Sequence, residues 1–225
     1  MNNVQNTELA LRIGMTKLTD EREEKRRARE ANRRQPLVDA VENIIKNNGL
    51  SAVKARDVAQ LAGVSLGALY YDGDLDDLVL EANALTLARL EKDLAKVRDS
   101  DSAARLTGMA QAYLHFASDN TRSWQALFEH KLPTGKALPE WYLGHQLRLF
   151  DKVDEALRDI LPQLSRRQSA EFARTVFSAV HGVVTLGLEE KLGIVPPKSL
   201  SQQLRLMMAA LIAGLRETLE KKPAK

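Results

Sequence analysis

Residues 54–71 read KARDVAQLAGVSLGALYY, a run whose side chains suit close approach to a polyanion. Ser65, Gly67 and Ala68 keep the front of a short helix thin enough to enter a groove, with Leu66 in the same turn. Tyr70 and Tyr71 offer hydroxyls to phosphate oxygens while their rings pack, and Lys54 and Arg56, on either side of Ala55, flank the same backbone. Ala59, Gly63 and Val64 meet the remaining need, a second helix packed on a first and a tight turn before the third. The spacing predicts a helix-turn-helix that reads the major groove of double-stranded DNA.

A second concentration lies further along. Trp124, Trp141 and five of the nine Phe and Tyr residues fall between residues 113 and 150. Trp124, Phe128, Trp141, Tyr142, His145, Phe177 and His181 are candidate walls of a ligand site. The rings supply contact area and a histidine supplies a hydrogen bond, which suits a small, largely apolar effector. A packed core would use the same rings, and the pattern leaves both open. All four histidines lie in the C-terminal half, but none forms an HxxxH or ExxH pair on one helix face, so no metal is expected. No phosphate loop, GxSxG or cysteine nucleophile is present, and the carboxylates sit at helix starts or beside basic residues. We expect no enzyme and no cofactor.

The elements that must hold these residues are all helical. Leu37, Val38, Val41, Ile44 and Ile45 follow a 3.6-residue period, and Gly49 suits a left-handed stop. Short helices are expected over 54–61 and 65–71, the second capped by the Ser65 hydroxyl. A long helix follows from about 75 to 98, with Asp74, Asp76 and Asp77 at its positive end. Further helices are expected near 102–119, 121–131, 139–161, 165–192 and 199–221, and no strand alternation appears. The chain is predicted to be all-α: an extension (1–31), a head (32–78) and a larger ligand-binding and dimerisation domain (79–225).

RDVAxxAGVSxGALYY, followed by an acidic turn and a long helix, resembles the DNA-binding head of the TetR family of transcriptional regulators. The family usually has Thr or Ser where Lys54 stands, and an aromatic and a basic residue after the tyrosines. Here Asp72-Gly73-Asp74-Leu75-Asp76-Asp77 follows instead. Residues 124–130 (WQALFEH) and 139–142 (PEWY), with Phe177, His181 and Gly182 later, resemble the C-terminal domain of the subgroup carrying a tryptophan-histidine-glycine motif. The resemblance implies a homodimer on a pseudo-palindromic operator, with half-sites about one helical turn (roughly 34 Å) or a multiple apart. It also implies release by an effector. Apolar faces on the last two helices, interleaved with Ala179, Gly182, Ala209, Ala210, Ala213 and Gly214, agree with a four-helix dimer interface. A helical enzyme or small-molecule carrier with a vestigial head is the alternative, supported mainly by the acidic turn.

Composition narrows the field without deciding it. The 225 residues are 44% apolar and 28% charged, ordinary for a globular chain. Net charge is only +3, so the location of charge matters more than its sum. The clearest concentration is 20–34, DEREEKRRAREANRR, either a solvated helical extension or a basic arm that touches phosphates through residues including Arg33 and Arg34. Met15 is an alternative start. The lack of cysteine rules out disulfides and favours a cytoplasmic setting. No apolar run is long enough for a membrane span or a signal peptide.

Overall fold

The computed structural model describes residues 33–71, 73–189, 193 and 196–220, and every regular element among them is a helix. The expected extension 1–31, with its basic arm, lies outside the described residues apart from Arg33 and Arg34 at the start of the first helix. Helix α1 spans 33–48 and stops at Gly49, whose φ of 84° is left-handed as the C-terminal break requires. A single 3₁₀ turn, Leu50–Ala52, leads to α2 (Ala55–Leu61) and α3 (Leu66–Leu69). α4 (Leu75–Leu94), α5 (Ser102–Asp119), α6 (Thr121–Glu129), α7 (Glu140–Ile160), α8 (Arg166–Leu188) and α9 (Pro197–Glu220) complete the described chain.

Several helices are shorter than their periodicity suggests, α6 ending at Glu129 rather than 131 and α8 at Leu188 rather than 192. α3 ends at Leu69 rather than Tyr71, because Tyr70 is already its C-cap. α4 ends at Leu94 rather than near Arg98, and Val97 folds back onto Gly108 of α5. A Cβ at Gly108 would stand 2.8 Å from Val97, so the return depends on glycine. α4 is fixed at its start by a capping box: the Asp77 amide donates to the Asp74 carboxylate at 2.9 Å, and the Asp74 amide donates to Asp77 at 3.2 Å.

Two apolar cores share α4. The first is built from Leu37, Val38, Val41 and Ile45 of α1, Val58 and Ala59 of α2, Leu69 of α3, and Leu78, Val79 and Ala82 of α4. It closes on Ala126 of α6, so the head rests directly on the body and the expected boundary at residue 78 cuts through a continuous helix. Arg122 of α6 donates to the Asn47 carbonyl at the end of α1, and Arg89 of α4 pairs with Glu42. The larger core centres on α5, packed between α7, α8 and α9 through Leu106, Tyr113, Ala156, Leu157, Val176, Val184, Leu204 and Met208. At Gly187 a Cβ would lie 2.5 Å from Leu200, so glycine sets the close approach of α8 to α9.

Candidate functional site

The head presents one polar face. Val58, Ala59 and Leu69 are buried and anchor α2 and α3, which leaves Lys54, Arg56, Ser65, Leu66, Gly67, Tyr70 and Tyr71 exposed. Ala55 and Ala68 are half-buried beneath them. Gly63 makes the turn, with φ of 70°, while Val64 donates to the Ala59 carbonyl at 3.0 Å. The Ser65 hydroxyl accepts from the Ala68 amide at 3.1 Å and so caps α3. Lys54 occupies the N-cap position of α2 without a side-chain bond to the helix and is exposed. Two exposed tyrosines, a lysine and an arginine around a thin helix start are chemically suited to phosphate contacts flanking a groove.

The two arginines of the expected arm differ in placement. The Arg33 guanidinium lies 5.0 Å from the centre of the Tyr71 ring, a cation–π contact on the same face. Arg34 turns inward, its Nε 2.5 Å from Glu81 Oε1 on α4. The acidic turn that departs from the family pattern is equally occupied: Asp74 and Asp77 hold the capping box and also receive the Lys136 ammonium, at 2.8 and 2.9 Å.

In the body, a cavity of about 180 Å³ opens between α4, α5, α6, α7 and α8. Leu87, Leu90, Leu127 and Leu149 form its aliphatic wall, and Tyr113, Phe128, Tyr142, Phe150 and Phe177 its aromatic one. Gln146 adds an amide. Of the expected ligand residues, Phe128, Tyr142 and Phe177 line this space. Trp124 and His181 stand behind it. Trp141 and His145 lie apart, Trp141 on the surface at 45% exposure and His145 bonded to Arg148 at 2.7 Å. Tyr113, Gln146 and Phe150 are wall residues outside the expected set. Tyr113 sits within the aromatic-rich stretch, and Gln146 and Phe150 recur four and eight residues after Tyr142, a helical spacing that marks the same face.

Behind the wall runs a hydrogen-bond chain that starts at the buried Trp124 and ends at the half-buried His181. The Trp124 indole N–H donates to the Tyr113 hydroxyl at 2.8 Å, and that hydroxyl lies 2.9 Å from His181 Nδ1. The indole can only donate, so the Tyr113 oxygen accepts from it, while the direction of the bonds from that hydroxyl to Nδ1 and from His181 Nε2 to Thr185 Oγ1, at 3.3 Å, follows the imidazole tautomer. Burial pushes the Tyr113 phenol well above its ordinary range and the Tyr142 phenol up to about 12. Burial also pulls His181 below the ordinary histidine value, which keeps the ring neutral. Phe177 stacks on the His181 ring at 5.6 Å and 14°, and Phe128 approaches it at 4.2 Å. No group of three His, Asp or Glu side chains among the described residues is arranged to hold a metal.

The outer faces of α8 and α9 are only partly used by the body. Val176, Val180, Val184, Leu204, Met208 and Ile212 are buried in the core, but Leu206, Ala209, Ala210, Ala213 and Gly214 are exposed. A Cβ at Gly182 or Gly214 would meet nothing within 4 Å. No helix among the described residues is long and apolar enough to cross a membrane.

Residues 106–211 match the family described as the tetracyclin repressor-like C-terminal domain. No curated relative matches the sequence. Among solved structures, the chain is similar to a protein of unknown function from Rhodococcus sp. RHA1, with 20% identity and a TM-score of 0.65 over 81% of this chain and 94% of that one. A transcriptional regulator from the same organism gives 21% identity and a TM-score of 0.64 over 80% and 96%. The TetR family transcriptional regulator PfmR from Thermus thermophilus gives 17% and 0.56 over 78% and 93%. At these identities the likeness is one of fold, and it runs through both the head and the body.

Proposed function

We propose that this chain is a ligand-responsive transcriptional regulator, most simply a repressor, which binds a pseudo-palindromic DNA operator as a homodimer and is released by a small, largely apolar effector. The observation that carries this reading is the shared helix α4. Its first turns belong to the core beneath the exposed polar face of α3, and its Leu87 and Leu90 form a wall of the body cavity. A ligand that changes the cavity therefore acts on the element that carries the head. The match of residues 106–211 and the regulator structures of the same fold support the assignment.

On this reading, Lys54, Arg56, Tyr70, Tyr71 and Arg33 face phosphates, while Ser65, Leu66, Gly67 and Ala68 approach the base edges. Two subunits meet through α8, with half-buried Ala179 and Gly182, and the exposed small residues of α9. The effector enters a space smaller than the roughly 300–1,000 Å³ of drug-sized pockets, so it is either small or admitted as α6 and α7 part. Phe177 and His181 fill the positions that resemble the tryptophan-histidine-glycine motif. The chain works by binding, in the cytoplasm. The vestigial-head reading takes the acidic turn as a defect in a phosphate contact, whereas Asp74 and Asp77 have structural partners of their own in the α4 cap and Lys136.

Selection of duplexes from a random DNA pool by the full chain, followed by gel shift at stated salt, tests the proposal. A two-half-site motif bound far more tightly than scrambled DNA is the expected result. A chain that enriches no sequence refutes it.

A further inference from the structure

The residue that ties the acidic start of α4 to the body lies in a loop rather than in a helix. Residues 130–139 leave α6 just after Leu127 and Phe128, walls of the cavity, and enter α7 just before Tyr142, another wall. Within this loop Leu132 packs against the cluster of Leu80, Ala84, Leu87 and Tyr142. Four residues further on, the Lys136 ammonium spans both carboxylates of the α4 capping box. His130 Nε2, at the loop's start, stands 3.6 Å from Asp76 Oδ1 and has no hydrogen-bond partner. From the other side, the Arg34 guanidinium lies against Gly73 and pairs with Glu81. The start of α4 is thus held between a cation from α1 and a cation from the loop.

We propose that Lys136 is a positioning residue for DNA binding: it fixes the first turn of α4, and through it the angle of the head, from the loop that joins two walls of the cavity. The inference rests on the regulator reading above and assigns a role to the acidic turn, which departs from the family pattern. Two carboxylates joined by capping already repel each other, and a single ammonium shared between them relieves that repulsion and ties the turn to the body. Part-exposed ion pairs are individually weak, so the expected effects are moderate.

The test uses the full chain with Lys136→Gln, Lys136→Arg, Asp77→Asn and the Lys136→Gln/Asp77→Asn pair. Two readouts are needed: hydrogen exchange of the Asp77 and Leu78 amides, and affinity for a duplex selected by the wild-type chain. Lys136→Gln should speed exchange and weaken binding, each by about three- to tenfold. Lys136→Arg should restore both, and the double variant should lose no more affinity than the worse single variant. Unchanged exchange in Lys136→Gln overturns the claim that Lys136 fixes the first turn of α4. Faster exchange with unchanged affinity overturns the positioning role and leaves only a structural pair. A wild-type chain that selects no duplex refutes the regulator reading itself, and this is seen before any variant is compared.

Discussion

The Tyr113 hydroxyl stands between the Trp124 indole N–H and His181 Nδ1, accepting from the indole at 2.8 Å and sharing a hydrogen bond of 2.9 Å with the imidazole. Tyr113 also forms part of the cavity wall, so one side chain joins the polar chain behind the pocket to its apolar surface. Tyr113→Phe would leave the buried indole N–H and the half-buried imidazole Nδ1 without their shared partner. A loss of about 1–3 kcal/mol in urea unfolding is expected. Stability within a few tenths of wild type would show that water replaces the hydroxyl.

The neutral His181 makes stability depend on pH in a definite direction. Burial lowers its folded pKa below the ordinary 6.5, and His130 moves the same way for the same first cause. A group depressed on folding adds stability above its unfolded pKa and loses it as pH falls through the folded value. The chain should therefore lose melting temperature between about pH 7 and pH 5. His181→Gln should flatten part of that slope, read by thermal melts across the range. Asp74, held down mainly by the Lys136 hydrogen bond, adds a further loss only below its ordinary value of 3.8.

Aromatic truncations should separate wall, support and surface. Trp124 is 1% exposed, and Trp124→Ala should cost about 3–5 kcal/mol. Trp141→Ala, on the surface, should stay within about 0.5 kcal/mol. Phe150→Ala enlarges the cavity, so it should cost less than the Trp124 change while altering binding of an apolar fluorescent probe such as N-phenyl-1-naphthylamine. Equal costs for Trp124 and Phe150 would mean the cavity is closed and packed in solution.

On the head, Lys54→Ala and Tyr70→Phe should weaken selected and scrambled duplexes by similar factors, and Lys54→Ala, which alone removes a charge, should also lower the salt dependence of binding. Ser65→Ala removes the α3 cap, worth about 0.5–2 kcal/mol, and should weaken the selected duplex most. Electrophoretic titration on both duplexes distinguishes these outcomes.

Ala213→Glu places a charge on the exposed face of α9, where the proposed partner subunit would bury it without a counter-ion. Light scattering should show monomer, with the fold retained by circular dichroism because the site is open in the isolated subunit. An intact dimer would move the interface elsewhere.

What the sequence determined by itself was local. The period of Leu37, Val41 and Ile45, the glycines at 49 and 63 and the Ser65 cap depend on neighbours within a few residues, and each element formed where that chemistry places it. The head's exposed face was legible for the same reason, since it is made of one short run. The cavity was legible only in part. Phe128, Tyr142 and Phe177 share it with Leu87 and Tyr113 because five helices converge there, and composition alone does not say which face of each helix turns inward. Trp141 and His145 carry the same chemistry as the wall residues but do not line the cavity. The acidic turn reads as a defect in a DNA contact when taken alone, and only the fold brings Lys136, some sixty residues on, against it. Long-range ion pairs and shared cavities depend on how helices cross, and that is decided by packing of the whole core rather than by any segment.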